Sequence, residues 1–221
     1  MAEPTEVLLN KPTIVNWALA ELGLSPKFSI DNATGLGAMV DIFWTRAVGR
    51  CFGLHDWTFC RITHQLTRQA AAPVNGYAYG FDLPGGILGE PVRYLNAPPR
   101  HCREPVRDTR IEGRTVFADE AQLWTVSKVP VDPQYWDPQF ADCFAVALAS
   151  YLAVPMTQDL DLKDRKEKQA FGDPREGGAG GMFGRLIAQN MAAHPVGANL
   201  LANDPLTAGR SAGGHWYGRH G

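Results

Sequence analysis

The hydrophobic period of this chain changes twice, from helical to strand-like near Trp57 and back to helical near Asp137, and any fold must respect both changes. From Thr13 to Leu24 the apolar residues Ile14, Trp17, Ala18 and Leu22 recur at helical intervals. Asn10 stands at a capping position, Pro12 in the first turn and Gly23 near the end, so a short amphipathic helix is predicted. Next comes a turn-rich stretch, Ser25 to Thr34, in which Asp31, Asn32 or Thr34 can cap. Leu36, Val40, Phe43, Ala47, Cys51 and Leu54 then mark a long second helix. Gly37, Gly49 and Gly53 each weaken it by up to about 1 kcal/mol relative to Ala, so packing has to hold it.

Between Trp57 and about Asp137 the chain is rich in Thr, Tyr, Val, Pro and Gly, which predicts short strands. The candidates are Thr58 to Leu66, Tyr77 to Leu83, Val92 to Leu95, Arg110 to Glu112, Thr115 to Ala118 and Gln122 to Val129. Glu112 and Gly113 lie between two β-prone arms, and Gly113 supplies the positive φ of a hairpin turn. Asp137 and Pro138 then open a helix carrying Phe140, Phe144, Ala147, Leu148 and Tyr151 on one face, with Pro155 as its expected stop. Asp161 to Phe171 reads as a polar helix with four-residue pairs Asp161–Arg165 and Asp164–Lys168. Gly172 to Gly181 breaks the period, and Phe183, Leu186, Ile187 and Met191 resume it.

The expected fold is therefore α+β and mainly helical. Residues 1–57 and 138–193 form a helical bundle from the two ends of the chain, 58–137 form an inserted β module, and 194–221 form a flexible C-terminal arm. That arm holds six Gly and two Pro but also Leu200, Leu201, Trp216 and Tyr217, side chains of the kind that anchor interfaces.

Composition narrows the function. The 221 residues carry 21 basic and 23 acidic side chains for a net charge of -2, which excludes a strongly basic nucleic-acid binder. Phe144 to Val154 is barely half of a bilayer span of roughly 20 residues, so no membrane is expected. Met1 to Lys11, with Glu3 and Glu6, lacks the pattern of a secretory signal. Cys51, Cys60, Cys102 and Cys143 form no CxxC pair, which disfavours zinc and predicts reduced thiols.

Catalytic patterns are sought without success. Gly35-Leu36-Gly37 lacks a third Gly and a preceding strand, and Asp159, Asp161 and Asp164 lack the turn Gly and closing Glu of a calcium loop. The six His show no metal-binding spacing, and no Ser lies in GxSxG. The expectation is a non-enzyme with no cofactor and no metal. Arg100, Arg103, Arg107, Arg110 and Arg114 alternate with Glu104, Asp108 and Glu112, which reads as an interface or ion-pair surface near Tyr94 rather than a phosphate track. Arg107 and Arg110 are its central candidates for partner binding. Trp57 and Phe59, one residue apart, are expected on one side of a strand as a plug where the β module meets the bundle, in preference to a ligand-stacking site.

The order of these features resembles the tail tubular protein A family of phage head-to-tail adaptors. The resemblance rests on Asn16 to Gly23 in the first helix, on Trp57-Thr58-Phe59 after the second, and on Tyr79-Gly80-Phe81-Asp82-Leu83-Pro84. It continues through the Gly113 hairpin and through Asp137-Pro138-Gln139-Phe140 opening the helix that contains Ala145 to Ala153, and spans about residues 13 to 171. It implies a structural virion protein at the head–tail junction, assembled from the host cytoplasm into a ring, dodecameric like the portal, between the portal protein and the next tail protein. Double-stranded DNA passes through such a ring without sequence-specific binding, and by the same resemblance the C-terminal arm docks on the portal. A tail-borne cell-envelope enzyme and a DNA-packaging or DNA-binding factor are the alternatives; the first needs a convergent acid–base cleft and the second a basic recognition helix.

Overall fold

A computed structural model describes residues 9–29, 35–101, 105–173, 175 and 180–193. Helix α1, Lys11–Glu21, begins where the Asn10 side chain accepts the backbone N–H of Thr13 at 2.9 Å. It ends in a left-handed Gly23 (φ 74°), with the Leu24 N–H returning to the Leu19 carbonyl at 2.9 Å. Its buried face is Ile14, Val15, Ala18, Leu19 and Leu22, whereas Trp17 is turned outward and is 37% exposed. Helix α2, Gly35–Gly53, buries Val40, Ala47, Cys51 and Phe52; Leu54 lies beyond its end and is 40% exposed. The capping positions Asp31, Asn32 and Thr34 lie outside the described residues.

Helix α3, Pro138–Thr157, is capped by Asp137, whose Oδ1 accepts the N–H groups of Gln139 (2.8 Å) and Phe140 (3.2 Å). It runs one turn further than the expected stop. Pro155 sits inside it, and the Gln158 N–H closes the last turn on the Val154 carbonyl at 2.9 Å with Gln158 in the left-handed region. Proline withholds its own N–H from the carbonyl four residues back but leaves later bonds possible near an end. Among the described residues α3 is the one helix long and apolar enough for a bilayer span by length and composition. It is apolar on nearly every side because α1 and α2, together with α4 (Leu160–Phe171) and α5 (Gly181–Ala193), pack around it. Between 140 and 154 its side chains are buried except for Asp142 and, in part, Tyr151 and Val154.

The expected pairs Asp161–Arg165 and Asp164–Lys168 are not among the ion pairs formed by the described residues. On α4, Lys163 instead bridges Asp164 (3.1 Å) and Glu167 (3.2 Å), and Lys168 reaches Asp173 (3.5 Å). On α5, Phe183 and Leu186 are buried, but Met191 is 64% exposed. The breaks flanking 172–181 have a steric cause. Gly172 and Gly181 both have positive φ, and a Cβ on either would lie 2.5–2.6 Å from the backbone of the other strand of the loop.

Among the described residues seven strands lie between α2 and α3: β1 (Arg61–Gln65), β2 (Thr67–Arg68), β3 (Tyr79–Asp82), β4 (Arg93–Leu95), β5 (Arg110–Glu112), β6 (Thr115–Ala118) and β7 (Trp124–Lys128). They form two antiparallel sheets, ordered β1-β7-β4 and β2-β3-β6-β5. The fold is thus mixed α+β, with about 47% of the described residues helical and 16% in strands. The β5–β6 turn is Gly113-Arg114, one residue later than expected, because Glu112 pairs with Thr115; Gly113 has φ 62°. Leu66 carries the chain from one sheet to the other and, with Phe81, Tyr94, Val116, Ala118 and Leu123, fills a small core. The helices share a second, larger core that also takes in Trp57, Cys60 and Trp136.

Strand β7 ties the two cores together. Leu123, Thr125 and Ser127 alternate toward one face and Trp124, Val126 and Lys128 toward the other. Lys128 Nζ donates to the carbonyls of Phe52 (3.1 Å) and His55 (3.3 Å) at and just beyond the C-terminus of α2, where unpaired carbonyls and the helix dipole both favour a cation. Replacing Lys128 by Met removes both bonds and is expected to lower stability by about 2 kcal/mol in urea denaturation, with the lost protection against hydrogen exchange concentrated at residues 50–56. A variant as stable as the parent would show that this contact does not fasten the sheet to the helix.

Candidate interaction surfaces

Trp57 does not lie in a strand. It precedes a short 3-10 turn, Thr58–Cys60, and its indole Nε1 donates to the Cys51 carbonyl at 3.0 Å, taking up another free acceptor at the end of α2. That bond and the tight turn override the β propensity of Thr-Phe-Cys. Trp57 is 2% exposed, and its ring centroid is 5.1 Å from that of Phe140 and 6.4 Å from that of Phe59. Phe59 lies 4.9 Å from Phe140, so both aromatics are packed against α3 where the strands leave the helices.

Arg107 and Arg110 both lie at the surface of the strand region. Arg110, on the edge strand β5, pairs with Glu112 at 2.8 Å with both side chains well exposed, a kind of pair worth at most about 1 kcal/mol. Arg114 is occupied, donating to the carbonyls of Leu83 (3.2 Å) and Pro84 (2.9 Å). Tyr94 is no part of that surface. It is buried in the sheet core, its hydroxyl has no hydrogen-bond partner among the described residues, and burial pushes its pKa up to about 12. Arg103, Glu104 and Cys102 lie outside the described residues, as do Leu200, Leu201, Trp216 and Tyr217.

The three thiols among the described residues are poor nucleophiles. Cys51, Cys60 and Cys143 are free and buried; burial drives Cys51 far upward and raises Cys60 and Cys143 to about 11, so they stay protonated at neutral pH. Among the described residues no three His, Cys, Asp or Glu side chains converge on a point that could hold a metal.

A cleft of about 520 Å³ between α2, α3 and α4 is lined by the charged side chains Arg46, Arg50, Lys163 and Glu167. Arg50 Nη1 bonds Glu167 (2.8 Å) and the Tyr151 hydroxyl (3.4 Å), and its guanidinium lies 3.8 Å from the centroid of the Phe171 ring. Burial alone would lower the Arg50 pKa, but its bonds to Tyr151 and Glu167 outweigh that effect and raise it. The Arg50 bond, aided by Lys163, holds Glu167 below its ordinary value. Arg46 lies over the rings of Tyr151 (5.4 Å) and Phe43 (5.9 Å) and faces solvent. Sequence reasoning did not find this cluster, because Arg50 and its partners Tyr151 and Glu167 are 101 and 117 residues apart. The available signal was Arg46 and Arg50 one turn apart on a largely apolar helix whose other charged residue is Asp41.

A scan against models of known protein families finds none that matches this chain, and no curated protein matches it in sequence. The functional reading therefore stands on the residues and their arrangement.

Proposed function

We propose that the chain is a structural head-to-tail adaptor of a bacteriophage, a subunit of a ring between the portal and the next tail protein with a channel for DNA. The observation that carries this reading is the order of short motifs it shares with the tail tubular protein A family, from Asn16 to Gly23 through Trp57-Thr58-Phe59, Tyr79 to Pro84 and the Gly113 hairpin to Asp137 to Phe140. The arrangement of elements supports it. The described helices before Trp57 and after Asp137 supply one bundle and the strands between them a β module anchored to it through Lys128; in this reading 194–221, outside the described residues, serve as the arm that docks on the portal. A near-neutral chain lets DNA slide, which a basic lining would hinder. In this reading the ring is dodecameric, acts without enzyme activity, cofactor or membrane, and resides in the virion after assembly in the host cytoplasm.

The test is recruitment: portal rings mixed with the protein should gain mass in light scattering at saturating concentration, and rings that gain none at any concentration would contradict the proposal. Within it, Arg107 and Arg110 belong to a partner contact on the β module. Reversing both charges to Glu should weaken ring assembly on the portal at least tenfold and leave the circular dichroism spectrum and melting temperature unchanged, since both side chains are exposed. Unaltered assembly removes this segment from the interface.

A further inference from the structure

The cleft between α2, α3 and α4 is more cationic than its own residues can neutralise. Arg46, Arg50 and Lys163 line it with Glu167, and Asp164 also pairs with Lys163, so three cations face two carboxylates, a local charge of +1. Glu167 is shared by Arg50 and Lys163, and Asp164 is taken by Lys163, whereas Arg46 forms no ion pair among the described residues and lies over the faces of Phe43 and Tyr151. An occupant therefore needs negative charge for Arg46 and an apolar or aromatic body for the walls. A phosphate track is a poor fit, because a carboxylate stands among the cations and the cleft holds only one or two side chains.

The same chain displays a segment with the complementary character. Residues 130–139 contain Asp132 and Asp137 and neither Lys nor Arg, a charge of -2. Between them Tyr135 is 66% exposed, against 37% for Trp17. It is not a loose side chain. The 3-10 turn Pro133–Tyr135 begins with a proline, and the next residue, Trp136, is 4% exposed, bonded through Nε1 to the Val131 carbonyl at 2.8 Å and stacked on Trp44 at 5.7 Å. An aromatic on a fixed turn, flanked in sequence by Asp132 and by the helix-capping Asp137, loses little entropy on insertion, and Tyr and Arg are the residue types that dominate contact energies.

Tyr135 cannot fill its own cleft. It precedes the N-terminus of α3, whereas Tyr151 and Pro155 lie in the helix's C-terminal half, about 20 Å further along the axis at 1.5 Å per residue. We infer that the Arg46 cleft receives the Tyr135 turn of a second copy of this chain, Tyr135 entering against Tyr151 and Phe43 and Asp132 meeting Arg46. Donor and acceptor are then different surfaces of one subunit. Such a contact is heterologous and propagates head to tail, closing into a ring or running on as a filament. The inference deepens the ring proposal and rests on it for its biological setting, but it is tested without portal.

Sedimentation velocity of the full chain at rising concentration should show a weight-average mass above that of one chain in the hundreds of micromolar, weakened when salt rises from 50 to 500 mM. Arg46→Glu destroys the acceptor and Tyr135→Ala the donor. Both side chains are exposed, so circular dichroism should show both variants folded. Each variant alone should need at least tenfold higher concentration to associate. A one-to-one mixture should regain association but stop at pairs, one chain of each kind, because each variant keeps the surface that the other lacks. A wild-type chain that stays monomeric to millimolar concentration, a variant that associates like the parent, or a mixture no better than its components overturns the inference. Portal recruitment is read separately, so this contact can fail while the adaptor reading stands, and the reverse.

Discussion

Phe140→Ala should lower the stability of the folded chain by about 3–5 kcal/mol, among the largest effects of any single truncation. Phe140 is 0% exposed, and its ring lies 4.9–5.8 Å from those of Phe59, Trp57, Phe52, Trp136 and Phe183. Those five come from four places in the chain: the end of α2, the turn that leaves it, the segment before α3, and α5. Removing the ring opens a cavity that none of them can close alone, since each is also fixed by its own backbone element and neighbours. Phe140→Leu keeps most of the volume and should cost about 1.5 kcal/mol. Urea denaturation of both variants measures the difference, and a loss below about 1 kcal/mol for the alanine variant would show that the cluster collapses around the gap instead of depending on it.

Deleting residues 195–221 should abolish attachment to the portal, a loss of at least a hundredfold in affinity, while shifting the melting temperature by no more than a degree or two. The reasoning is compositional. Six Gly, two Pro and no hydrophobic period leave this segment unable to build a core, while Leu200, Leu201, Trp216 and Tyr217 are suited to filling pockets on a partner. Among the described residues α1, α2, α4 and α5 close around α3, with Leu186 the last buried side chain of that core. Replacing Trp216 and Tyr217 together by Ala should reproduce most of the loss without the truncation. Truncated protein that attaches with the parent's affinity would eliminate the docking arm and leave portal contact to the body of the subunit.

Much of the helical frame was legible because its signals are local. Asn10, Pro12 and Gly23 mark the ends of α1 through bonds made within five residues, and Asp137 with Pro138 does the same for α3. Side-chain bulk misled where geometry decided. At roughly 100° per residue Trp17 falls about 130° from the centre of the stripe defined by Ile14, Val15, Ala18, Leu19 and Leu22, so it faces out despite its size. Strand β2 has two residues and carries no period to detect. Trp57 to Cys60 read as a strand because propensity is a local quantity, whereas the turn there follows from the indole bond to Cys51 and from packing on Phe140, a residue 83 positions away. The cationic cleft was hidden for the same reason. Its chemistry exists only once α2 and α4 lie side by side on α3, and no spacing along the chain encodes that.

The proposed adaptor role is tested most directly by negative-stain microscopy of the full chain mixed with phage portal rings. Portal rings bearing a second, coaxial ring of density on their tail-facing end, with one subunit of this chain per portal subunit, are the predicted result. Portal rings that stay bare at saturating protein, under conditions where the protein is folded by circular dichroism, would contradict it.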